Sequence, residues 1–436
     1  MHKKNKASDV TRRDFIKTSA AASMVAMTPR SNHFFAAGSD KLRVGLIGCG
    51  WRGTGATINC VESSDGIEVV AMGDLFRDQL DESLTKLKEG IPPDNLRVTE
   101  ETCFVGFDAY KKVLASDIDL VILATPPHFR PVHLKAALES GKHVFMEKPV
   151  AVDPVGIRSV IASSELADRK NLAIVAGTQR RHQNHYLEIM KRIHGGDIGE
   201  IVGGQCYWNM GALWVERAQS NLINKKKHDW SDMEFQCRNW LFYTWLSGDH
   251  IVEQHVHNLD VINWAIGSHP VQAMGMGGRQ VRTGEEYGNV FDHFAIEYEY
   301  PNEVRVLSMC RQTEGASARV SERLVGTTGK TYSDSSNCFI EGQEPFKYDG
   351  PTPNPYVREH TDLIASIRNG RPLNEGRRIA ESTMTAIMGR MSAYSGRELK
   401  WDWVMNASTL DLTPPDYEFG DLPQQAVAVP GKTPLV

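Results

Sequence analysis

The stretch Leu42-Arg43-Val44-Gly45-Leu46-Ile47-Gly48-Cys49-Gly50-Trp51-Arg52-Gly53 decides the fold. The apolar run Leu42 to Ile47 predicts a buried strand, and it passes directly into a G-x-G-x-x-G turn that opens a helical stretch. Such a turn lets backbone N–H groups approach a pyrophosphate and places it on a helix N-terminus. A second strand, Ile67 to Met72, leads to Asp74. An acid at that distance accepts hydrogen bonds from the adenosine ribose and disfavours a 2′-phosphate, so NAD is expected. Arg77, close behind, leaves NADP open.

Further strands follow at Ile118 to Ala124 and His143 to Met146, with a helical stretch, Val132 to Ser140, between them. Alternation of this kind predicts an α/β fold whose first domain is a doubly wound, parallel Rossmann sheet with its site at the carboxyl ends of the strands. The residues at those ends are cofactor-side candidates: Thr125, Pro126 and His128 after one strand, Glu147 and Lys148 after the next, with Trp51 and Arg52 of the turn. The series G-x-G-x-x-G, distal Asp74, then Glu147-Lys148-Pro149 resembles the Gfo/Idh/MocA oxidoreductases, the family of glucose-fructose oxidoreductase and the inositol dehydrogenases. The resemblance implies a place for Lys148 beside nicotinamide and substrate, and a two-domain design.

Beyond the strand Asn171 to Gly177, the segments Val202–Trp208, Phe294–Tyr298 and Val304–Met309 follow with few helices between them. They predict a second α/β domain with a largely antiparallel open sheet, one face on helices and the other available to a partner subunit or cofactor. The expected organisation is a leader at 1–37, a dinucleotide domain at 38–165, a substrate and oligomerisation domain at 166–412, and an extended tail at 413–436.

Ser247 to Trp264 carries the chemistry of that second domain. On a continuous helix, Glu253, His257 and Asp260 share one face, where an acid one turn from an imidazole orients it and raises its basicity. The resembling family carries D-x-x-x-H-x-x-D here. The resemblance implies that His257 is the base and Asp260 its support, and Glu253 departs from the family's Asp by one methylene. His250, His255 and His257 with Asp249 and Glu253 also invite a metal, but the spacing matches no H-E-x-x-H site and none is expected. Arg180, Trp208, Arg238 and Asn239 are expected to meet the substrate with His257. Five tryptophans between Trp208 and Trp245 suit either stacking on sugar rings or ordinary packing.

Composition narrows the partners. The 436 residues carry a net charge of −5, with 41% hydrophobic residues, which fits a folded chain of two or three domains. Residues 1–37 hold seven Lys and Arg against two acids, so 42 basic residues face 52 acidic ones over the remainder, a net −10 that argues against nucleic acid. The lysine run at 225–227 suits a solvated face. No segment is apolar enough for a permanent membrane span. Thr11-Arg12-Arg13-Asp14-Phe15-Ile16-Lys17 before a weakly apolar run reads as a twin-arginine export signal, which makes the twin-arginine translocase a partner and the periplasm the working compartment. Seven cysteines without a C-x-x-C pair read mostly as buried small hydrophobes. The expected activity is hydride removal from a secondary hydroxyl of a sugar, glycoside or cyclitol by a homo-oligomer that retains its nicotinamide. Redox-assisted glycoside cleavage and a catalytically silent sugar-binding protein stand as alternatives.

Overall fold

The computed structural model describes residues 41–436. The arginine pair, the leader at 1–37 and the expected start of the dinucleotide domain at 38–40 lie outside the described residues. Apolar runs bounded by glycine and polar turns become six strands, β1 (Leu42–Ile47), β2 (Ile67–Asp74), β3 (Cys103–Val105), β4 (Leu120–Leu123), β5 (His143–Met146) and β6 (Ile174–Ala176). They form one parallel sheet in the order β3-β2-β1-β4-β5-β6. The order reverses between β1 and β4, and a crevice opens there at the carboxyl ends of the strands.

Nine further strands form the second sheet: β7 (Ile201–Met210), β8 (Gln272–Gly278), β9 (His293–Glu299), β10 (Arg305–Gln312), β11 (Arg319–Gly326), β12 (Gly329–Ser333), β13 (Cys338–Gly342), β14 (Phe346–Lys347) and β15 (Leu399–Lys400). Their order is β14-β13-β12-β11-β7-β10-β9-β8-β15. The sheet is antiparallel except that β10 runs parallel to β7, with Met309 opposite Tyr207, so it is mixed rather than purely antiparallel. One face packs on the helices Val256–Ile266 and Gly376–Ser395. There the buried hydroxyls of Tyr298 and Tyr300 donate to the Thr385 carbonyl (2.9 Å) and to Asn263 Oδ1 (2.6 Å). The opposite face leaves Met274, Met276, Leu307 and Val325 exposed.

Two segments cross back in space against their order in sequence. The helix Pro355–Arg368 follows β14 of the second sheet, yet Leu363, Ile364 and Ile367 are buried in one cluster with Leu42, Val44 and Phe145 of the first. The tail lies along the first domain and the tryptophan-rich segment: Phe419 stacks on Phe76 at 5.8 Å, and Gln236 Nε2 donates to the Leu422 carbonyl at 2.6 Å. Six of the seven cysteines are buried, Cys103 is half-buried, and all are free thiols.

Candidate active site

The glycine turn is built by three different constraints. Gly48 sits at φ +96°, where an L side chain is strained and a Cβ would press on the Ala124–Thr125 backbone. A Cβ on Gly53 would run into the Gly48 carbonyl oxygen, so the helix Trp51–Glu62 can start this close to β1 only with glycine there. Gly50 has no steric need of its own, since nothing lies within 4 Å of where its Cβ would stand. That open space faces the crevice beside a helix start with no side-chain cap. These features fit a dinucleotide pyrophosphate, held by the first-turn N–H groups.

Asp74 ends β2 beside this turn. Its Oδ2 accepts the Cys49 N–H at 2.6 Å and its Oδ1 the Phe76 N–H at 2.8 Å. Burial raises its pKa, and these N–H groups oppose the rise. Arg77 is turned away, paired with Asp81 at 2.9 Å and Glu100 at 2.6 Å.

A cavity of about 860 Å³ runs from this turn to the edge of the second sheet. Gly48, Gly50, Trp51, Asp74, Thr125 and Pro126 line one end. Lys148, Trp208, Glu253 and His257 line the other, together with Gln179 and Tyr356, which the sequence reading missed. Lys148 follows β5, and its Nζ donates to both the carboxylate (2.9 Å) and the backbone carbonyl (2.5 Å) of Glu253. His257 is buried with its Nδ1 unpartnered, its ring stacked on Trp208 at 5.8 Å. Burial, then the charges of Lys148 and Arg180, hold its pKa well below the usual imidazole range. The ring is therefore neutral at neutral pH and able to accept a proton.

The expected shared face of Glu253, His257 and Asp260 does not form. The helix breaks at Gln254 and His255, giving His250–Glu253 and then Val256–Ile266. Glu253 turns to Lys148. Asp260 faces away from the cavity, where it accepts from Arg181 (2.8 Å) and Ser382 (2.7 Å) and pairs with Arg378. Burial would raise its pKa, but the two arginines outweigh burial and hold the carboxylate ionised. It supports His257 through no hydrogen bond.

Other expectations need correction as well. Arg180 does not line the cavity: it is buried against Glu322, which also accepts from Tyr186 and Ser333 at 2.9 Å each. Asn239 is buried and donates to the Glu286 carbonyl at 2.7 Å. His128 meets the tail at Tyr417 Oη (2.8 Å), and burial pushes its pKa down to about 4. The Arg52 guanidinium is committed to two buried carboxylates, Glu147 and Glu359, rather than free for a phosphate. Arg238 does line the cavity, but at the Asp74 end, far along the groove from a substrate position beside His257. Each correction comes from a partner remote in sequence, such as Glu322 or Tyr417.

Fold and site together define a dinucleotide-binding protein of the Rossmann class with a second, mixed-sheet domain. Residues 42–178 match the Gfo/Idh/MocA oxidoreductase family model, described as an oxidoreductase family with an NAD-binding Rossmann fold, so this stretch is an NAD(P)-binding Rossmann domain similar to that family's. It is 30% identical over 202 residues to inositol 2-dehydrogenase 4 of Saccharopolyspora erythraea, covering 46% of this chain and 54% of that one. A glycosyl hydrolase family 109 protein of Shewanella pealeana is 28% identical over 207 residues, 47% of this chain and 42% of that one. These two matches thus span about half the length of each relative. The aldose-aldose oxidoreductase of Caulobacter crescentus has a similar fold, with TM-score 0.64 at 16% identity over 83% of this chain and 99% of that one.

The glycine geometry separates two substitutions. Gly50→Ala should melt as the parent does, because its Cβ enters open space, yet bind NAD at least tenfold more weakly. Gly53→Ala should lower the melting temperature as well. Calorimetric NAD titration and thermal melting check both, and unchanged NAD affinity in Gly50→Ala contradicts the pyrophosphate assignment.

Proposed function

We propose that this protein is an exported, NAD-dependent oxidoreductase acting on a secondary hydroxyl of a sugar, glycoside or cyclitol. The observation that carries the reading is that one cavity joins the glycine turn to a buried neutral imidazole, His257, and an ammonium group, Lys148. A nicotinamide bound there supplies the hydride acceptor. Lys148 holds and polarises the substrate oxygen, and Glu253 fixes the ammonium in place. His257 takes the hydroxyl proton, with Trp208 covering its ring. NAD is favoured over NADP because Asp74 occupies the ribose end and Arg77 is already paired with two acids. Export is supported by Arg12-Arg13 in their sequence setting.

Glycoside cleavage assisted by transient oxidation is a second reading. It is favoured by the likeness to the family 109 glycosyl hydrolase and by Trp214 and Trp240, which extend the cavity wall as an edge-to-face pair 5.5 Å apart. Product analysis separates the two: a ketosugar supports net oxidation, and a released aglycone supports cleavage. Because its folded pKa is lowered, His257 should remain unprotonated as pH falls below about 6.5, and the acid limb of kcat/KM should lie below that value. His257→Asn should lower kcat about 10²-fold or more while NAD still binds. An acid limb at pH 6.5 or above contradicts the lowered pKa, and full activity in His257→Asn contradicts its role as base.

The exposed Met274 (62%), Met276 (72%) and Leu307 on the outer sheet face support a homo-oligomer in which a second copy covers them. Met276→Glu should sediment as a smaller species than the parent. A parent that already sediments as a monomer overturns this part of the reading.

A further inference from the structure

Arg238, in the tryptophan-rich segment between β7 and β8, was expected to meet the substrate, yet it reaches the opposite end of the cavity. The helix Asp232–Arg238 ends there, and Nη1 of Arg238 lies 2.9 Å from Asp78 Oδ2, four residues beyond Asp74. The same guanidinium lies over the Phe76 ring at 3.9 Å and over Trp230 at 4.7 Å, and its Nε donates to Glu234 at 3.0 Å. Phe76 is the residue whose N–H binds Asp74 Oδ1. The cavity lining places this segment at the same point: Trp230, Cys237 and Arg238 line it together with Asp74, Phe76 and Asp78. The tail then braces the arrangement from behind. Phe419 stacks on Phe76, the Gly420 carbonyl accepts the Met233 N–H at 3.1 Å, and the Leu422 carbonyl accepts from Gln236.

We propose that Arg238 is a latch over the adenosine end of the cofactor cleft, braced by residues 419–422, and that NAD leaves when the Arg238–Asp78 pair opens. The proposal rests on the dinucleotide reading of that cleft. A guanidinium held by two carboxylates and two aromatic faces has a fixed place at low entropic cost, while Asp78, 60% exposed, keeps the pair able to open. Its neutralisation by Asp78 and Glu234 also leaves little net attraction for a 2′-phosphate.

The test is the rate at which bound NAD is displaced by an excess of its fluorescent ethenoadenine analogue. Arg238→Gln and Asp78→Asn should each release NAD about fivefold faster, the effect of losing a partly exposed ion pair worth ~1 kcal/mol. The double variant should release it no faster than either single one, because both open the same pair. Phe419→Ala should also speed release, acting through the brace with both charges present. Release at the parental rate in Arg238→Gln, or a double variant whose effect is the product of the two singles, overturns the latch. A parent that binds no NAD overturns the dinucleotide reading itself, an outcome distinct from binding that is indifferent to Arg238.

Discussion

One ammonium group, Lys148 Nζ, joins the chemistry of the two domains. It leaves the end of β5 in the parallel sheet and is gripped twice by Glu253, the last residue before the helix break that precedes His257. The pair is largely buried, so losing either partner strands a charge in a poorly solvated place, at a cost of roughly 3 kcal/mol. Together with the continuous apolar core that joins the helices Pro154–Lys170 and Gly376–Ser395, the pair holds the carboxyl edge of one sheet against the helical cover of the other. The placement of His257 against Trp208, and the line of the cavity between them, follow from it.

Charge around this contact is arranged so that one group stays neutral. Lys148 and Arg180 both press on His257 to keep it unprotonated, while the nearest acids are drawn off: Glu253 to Lys148 and Asp260 to Arg181 and Arg378. Arg52 does the reverse job a few residues away, serving two buried carboxylates at once. One of them, Glu359, has its pKa raised by burial and by its neighbour Glu147. Exclusion of water and the neighbouring positive charges thus hold His257 in its neutral, proton-accepting form, with no carboxylate hydrogen-bonded to its ring.

What local pattern governs was legible in the sequence. The strand Leu42–Ile47, the turn Gly48–Gly53 and the acid Asp74 follow from short-range sterics and spacing, and they appear where the residues predict them. Lys148 was legible through its E-K-P setting at a strand end and the family resemblance that setting carries, and it does line the cavity. Partner choice was not legible. Arg180 looked free until Glu322 met it from β11, Asp260 looked like a helper until Arg181 and Arg378 claimed it, and the helix at 247–264 looked continuous until it broke at Gln254. The destination of Arg238 was equally hidden, since nothing near it in sequence announces Asp78, and the tail carries no periodic pattern to show that Tyr417 and Phe419 return to the first domain.

The central claim is that a nicotinamide bound in this cavity is reduced by a sugar held between Lys148 and His257. The most direct measurement is the nicotinamide absorbance of the purified protein before and after glycosides, hexoses and inositols are added without external NAD. The account predicts that the protein carries bound cofactor and that one class of these compounds produces the reduced-nicotinamide band. A protein that is purified loaded with cofactor, yet shows no reduction and consumes none of the compounds, would contradict it.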